Sequence, residues 1–166
     1  SSKDSSGSFN EYPMTDIQSA YWVGRRADIA MGGVSTHIYE EIESLDLDLA
    51  RFEESWNRII RRHEMLRAVI SAEGQVRIHK EVPHYTIVND DLRNMTRAEQ
   101  EHRIKVLRDR HQEEVLPSDT WPIWRIRTAQ LTDRLFRVFL SFDALTIDAR
   151  SRTVMYQDWR CLYDDR

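Results

Sequence analysis

Between residues 49 and 63 the apolar side chains fall at Leu49, Phe52, Trp56, Ile59 and Ile60, and His63 continues the stripe. This spacing predicts an amphipathic helix, with Asp48 placed to cap its first free backbone N–H groups. The opposite arc, Arg51, Glu53, Glu54, Arg58, Arg61 and Arg62, reads as a solvated face. Thr96-x-x-Glu99 is a capping box that opens a charged helix, which Pro117 must end. Thr15-x-x-Gln18 opens a shorter one, with Ile17, Ala20, Tyr21 and Gly24 along one face. A last helix is predicted from about Asp148 to Leu162, burying Val154, Met155, Trp159 and Leu162.

Strand patterns lie between these helices. Thr36 to Ser44 is rich in β-formers. Leu66 to Ser71 and Gln75 to Lys80 form a hairpin pattern across Ala72, Glu73 and Gly74, and Tyr85 to Val88 is a short further run. Trp124, Ile126 and Thr128 alternate with Arg125 and Arg127, as expected of a half-buried strand. The run from Leu135 to Phe142 is almost wholly apolar, the mark of a strand covered on both faces. Helices alternating with strands predict an α/β (α+β) two-layer sandwich. Residues 1–8, rich in Ser and free of apolar side chains, are expected to be a linker, leaving one domain over 9–166.

Composition narrows the function classes. The chain has 166 residues, 40% of them hydrophobic, with five Trp, six Tyr and five Phe, which is enough for a packed core. A net charge of -4 lacks the basic excess of a nucleic-acid binder. No apolar run approaches the roughly 20 residues of a membrane helix. The single cysteine, Cys161, allows no internal disulfide or cysteine zinc site and fits a reduced, cytoplasmic setting.

Chemistry concentrates in Ser141-Phe-Asp143-Ala-Leu-Thr-Ile-Asp148-Ala-Arg-Ser151. A buried strand that runs into Asp143 must provide a cation or several donors there, because isolated burial of charge is prohibitive. Two readings stay open for each aspartate. Asp143 is an ion-paired structural carboxylate and Asp148 an N-cap, or either is a general acid or base with a raised pKa. The six histidines include no i, i+4 pair, so no helical metal site is expected. His63, on the apolar side of its helix, reads as a satisfied core histidine. No nucleophile elbow, P-loop or dinucleotide fingerprint occurs.

Four segments together resemble one family. Tyr12-Pro-Met-Thr15-Asp-Ile-Gln18-Ser-Ala20-Tyr21-Trp-Val-Gly24-Arg25 is similar to the opening signature of heterocyclization (Cy) domains of nonribosomal peptide synthetases. Arg62-His63-Glu-Met65-Leu66-Arg67 resembles their second signature, and Trp121-Pro122-Ile-Trp-Arg-Ile-Arg127 their Trp-Pro strand. Asp143-x-x-x-x-Asp148-x-x-Ser151 matches the motif that marks this subfamily. Ordinary condensation domains carry H-H-x-x-x-D-G there. Asp143 takes the first His position, Ala144 the second, and Ala149 replaces the Gly.

The resemblance implies a chloramphenicol-acetyltransferase-like lobe, half of a condensation-type pseudo-dimer. It implies an enzyme that joins a carrier-bound acyl or peptidyl thioester to a carrier-bound Cys, Ser or Thr, then cyclodehydrates the product to a thiazoline or oxazoline. No cofactor is expected to be bound, since both substrates arrive on phosphopantetheine arms. The implied partners are upstream and downstream peptidyl or aryl carrier proteins, an adenylation domain of the same synthetase, and a second, C-terminal lobe that similar domains have beyond this point. The chain alone is expected to be inactive. Asp143, Asp148 and Ser151 are the implied catalytic set, and Arg25, Arg62, His63 and Tyr21 organise the site, with Arg25 or Arg62 as the partner of Asp143. The rival reading is a non-catalytic module that docks carrier proteins or associates with itself through an exposed apolar face. A free-standing acyltransferase is disfavoured, since no histidine follows His111.

Overall fold

The computed structural model describes residues 9–13, 37–114, 116–143 and 149–165. Its larger sheet has the order β2-β7-β6-β5, from β2 (His37–Leu45), β5 (Val88–Asp91), β6 (Trp124–Gln130) and β7 (Leu135–Asp143). A smaller sheet pairs β1 (Phe9–Pro13), β4 (Gln75–His79) and β3 (Ala68–Ile70) in the order β1-β4-β3. Three α-helices complete the described fold: α1 (Leu49–Arg62), α2 (Arg97–Glu113) and α3 (Ala149–Asp164).

Strand β7 organises the molecule. It pairs antiparallel with β2 from Leu135↔Leu45 to Asp143↔His37, and with β6 on its other side. Its even positions, Phe136, Val138, Leu140 and Phe142, join Trp56, Ile59, Ile60, Trp124, Met155 and Trp159 in the main core beneath α1 and α3. On the opposite face Phe139 packs with Leu92, Ile104, Leu107, Ala129 and Leu131 beneath α2. The expected α/β sandwich is present, with helices on both faces of its larger sheet. This follows from the chain path: β5 and β6 are parallel, and parallel neighbours need a crossover, which α2 supplies.

Local chemistry sets the element ends. Asp48 accepts from the Arg51 amide at 3.2 Å. Thr96 and Glu99 form both halves of the capping box, and α2 stops at Glu113, four residues before Pro117. Gly74 turns the β3–β4 hairpin at φ 80°, a conformation that costs glycine nothing. Between β2 and α1, Asp46 adopts φ 55° and its carboxylate holds Arg134 at 2.9 and 3.0 Å.

Four expectations change. The strand expected over Tyr85 to Val88 lies instead at Val88–Asp91. The preceding segment hangs from α1, because buried Asn57 accepts from the Tyr85 amide (2.8 Å) and donates to its carbonyl (2.9 Å). Glu53 is no mere solvated residue: its carboxylate accepts from the Ile87 amide at 2.8 Å and lies 3.0 Å from His84 Nε2. Val154 is 46% exposed, since the buried side of α3 runs through Met155 and Trp159. Phe9–Pro13 is a strand that the sequence pattern did not indicate. The predicted linker over 1–8 and the helix starting at Thr15 lie outside the described residues.

Candidate functional site

Asp143 ends β7 and is 6% exposed, so a carboxylate does close the central buried strand. Strand alternation puts it on the α2 face, with Phe139 and Ser141. α3 begins at Ala149, and Ser151 is exposed in its first turn. Asp148, Arg25 and Tyr21 lie outside the described residues.

Arg62 does not partner Asp143. It stands exposed in the last turn of α1, which packs on the opposite face of the sheet, and it forms no ion pair among the described residues. Its neighbour His63 plays a structural part. The His63 Nε2 lies 2.9 Å from Asp158 Oδ2, joining the end of α1 to α3. The two helices are also joined by the Trp159 indole, which donates to Ser55 Oγ at 2.8 Å.

The other motif segments also interlock. The indole N–H groups of Trp121 and Trp124 both donate to the Leu66 carbonyl, at 2.8 and 2.9 Å. Arg67 donates to the carbonyls of Ile60 (3.2 Å) and His79 (2.6 Å), tying the small sheet to α1. Behind the first turns of α3, Glu40 of β2 accepts from Tyr156 Oη at 2.6 Å and lies 3.3 Å from Arg152 Nε. Burial, and then this carboxylate, push the Tyr156 hydroxyl well above its ordinary pKa. These contacts fix α3, the helix that follows Asp143 in the chain.

The α2 face carries a second set of polar groups that the sequence did not single out. Arg108 holds Glu41 through two 2.8 Å hydrogen bonds, Arg137 adds a third at 3.0 Å, and Tyr39 Oη donates at 2.7 Å. The Arg108 guanidinium is the main reason that the Glu41 carboxyl is lowered to about 2. Nearer Asp143, buried His111 places Nδ1 2.9 Å from Ser141 Oγ. Ser141 sits two residues before Asp143 on the same face. Histidine spacing does not reveal His111. Its sequence signal is the stripe Ile104, Leu107, His111, in which a histidine occupies an apolar position.

Among the described residues no three His, Cys, Asp or Glu side chains form a metal-binding group, and no helix is long and apolar enough to cross a membrane. Cys161 is exposed and unbridged.

Comparisons with known proteins agree with this fold. The chain is 32% identical over 154 residues to bacitracin synthase 1 of Bacillus licheniformis, and 30% over 155 residues to pyochelin synthetase PchF of Pseudomonas aeruginosa. Each alignment covers 93% of this chain, but 3% and 8% of those far longer proteins. The solved cyclization-docking bidomain EpoB of Sorangium cellulosum superposes with a TM-score of 0.86 at 30% identity, over 93% of this chain and 31% of that one. The family model described as "Condensation domain" matches residues 8–166, so the chain belongs to the condensation-domain family of nonribosomal peptide synthetases.

Proposed function

We propose that this chain is the N-terminal lobe of a heterocyclization domain. Residues 9–166 would form that lobe, with residues 1–8 as linker, and a second lobe would complete the reaction site. The observation that carries the reading is Asp143, a buried carboxylate closing the central strand where ordinary condensation domains present an imidazole. The following Ala144 can neither accept nor orient a proton. Likeness to a cyclization domain supports the same reading.

In the proposed reaction the amine of a carrier-bound Cys, Ser or Thr attacks the donor thioester. An amide forms and the donor's phosphopantetheine thiol leaves. The side-chain thiol or hydroxyl then adds to the amide carbonyl, and loss of one water closes a thiazoline or oxazoline. Tethering both reactants to carrier proteins raises their effective concentration without tight binding of either. Asp143 and Asp148 would organise the site, with Ser151 at the start of α3. An adenylation domain would load the acceptor, the setting would be the cytoplasm, and the product would be a natural product of the siderophore or antibiotic type.

The test is mass spectrometry of carrier-bound products, with this chain joined to the second lobe of a Cy domain. The expected product is one water lighter than the linear amide, and Asp143→Asn reduces it. A product that keeps the water at every time point would make this an ordinary condensing lobe. Formation of the ring by the chain alone would refute the need for a second lobe.

One observation favours a second reading, a self-associating module. Ile42 and Leu45 of β2 are 45% and 63% exposed. Ile42 opens onto an apolar groove of about 410 Å³ floored by Leu47, Val138, Leu140 and Trp159. Light scattering of the purified chain decides this: a monomer favours the excised lobe, and a stable oligomer favours the module.

A further inference from the structure

α2 is charged nearly all round, and its buried positions among residues 97–113 are Ile104, Leu107 and His111. An apolar residue at 111 would complete that stripe, whereas an imidazole that is 1% exposed is costly unless hydrogen-bonded. At Nδ1 the structure meets this cost with a reciprocal contact. Ser141 Oγ donates to the carbonyl oxygen of His111 at 3.2 Å, and His111 Nδ1 lies 2.9 Å from the same Oγ. A hydroxyl has one hydrogen, and here the carbonyl takes it, so Nδ1 brings the proton for the second bond. The imidazole is further fixed by Tyr39, with ring centroids 6.2 Å apart, and by Phe139 at 5.8 Å.

This clamp fastens the end of α2 to β7 at Ser141. Asp143 is the next residue on that face of the strand, and the strand ends there. We propose that His111 and Ser141 are positioning residues that set the orientation of the Asp143 carboxyl. Neither needs to meet a substrate. The proposal rests on the reading of Asp143 as part of the reaction site.

The experiment is NMR on the full chain, following the Asp143 side-chain carboxyl through a pH titration with Asp91 as internal control. Ser141→Ala and His111→Leu are each expected to move the Asp143 titration midpoint by about half a pH unit or more and to leave Asp91 unmoved. His111→Asn keeps an N–H donor near the Nδ1 position and is expected to restore the wild-type midpoint. If both Ser141→Ala and His111→Leu leave Asp143 unmoved in a folded protein, the proposal is overturned. If His111→Leu does not fold, the milder Ser141→Ala decides alone. Product formation by Asp143→Asn at the wild-type rate would instead refute the reading of the site and leave the clamp standing.

Discussion

The two faces of β7 are built by different physics. Beneath α1 and α3 the contacts are aromatic: Trp56 meets Trp159 with ring centroids 4.5 Å apart and Trp124 edge-on at 5.0 Å, and Phe52 stacks on Trp159 at 4.5 Å. Beneath α2 a smaller apolar cluster shares the face with paired charges, Glu41 with Arg108 and Arg137, and with the His111–Ser141 clamp. Apolar burial is non-directional and, unlike a charge pair, is not screened by salt. Charge-assisted hydrogen bonds are directional and strong where water is excluded. One face therefore supplies most of the stability, and the other fixes geometry at the strand end where Asp143 lies.

That contrast can be broken by measurement. Trp56→Ala removes a fully buried indole and is expected to cost about 3–5 kcal/mol, a large part of a total near 5–15 kcal/mol. Urea denaturation at low and high salt should give the same loss. Glu41→Gln is expected to cost less, about 1.5–3 kcal/mol, and the loss should shrink as salt is added. Equal costs for the two variants would erase the distinction between the faces.

Acid sharpens the second case. The folded-state pKa of Glu41 is lowered from 4.5 to about 2, so its contribution is complete above the unfolded value and is lost as pH falls through that window. Stability of the wild type should fall more steeply than that of Glu41→Gln between pH 4.5 and about 2. Parallel acid limbs would show that Arg108 does not hold the charge in solution. Smaller still, Thr96→Ala removes the cap of α2 and is expected to cost about 1 kcal/mol in thermal unfolding. Arg97→Ala breaks an exposed pair with Glu101 and should change stability by less than about 0.5 kcal/mol.

The legible parts of the sequence were those with strong periodicity or paired caps. The α1 stripe, the Thr96–Glu99 box, the alternation along β6 and the apolar run of β7 each correspond to an observed element. Tyr85 misled because its apolar ring suggests a strand, while its backbone hydrogen bonds go to Asn57, 28 residues away. Glu53 misled for the same reason, since no periodicity shows that a carboxylate on an outer arc will meet the Ile87 amide. The candidate site was legible only in part. The end of β7 drew notice to Asp143, but Arg62 cannot serve it because α1 packs on the other face. His111 stayed hidden because its partner, Ser141, belongs to a different element 30 residues on.

The Leu66 carbonyl accepts from two indoles whose positions lie 55 and 58 residues along the chain. Movement of the turn that carries Leu66 takes the acceptor from both hydrogens at once. Deuterium exchange at the buried Trp124 indole should therefore follow the rate at which the start of β6 parts from that turn, and the half-buried Trp121 proton should exchange at least as fast. The slower of the two side-chain clocks would then time one local opening of the molecule.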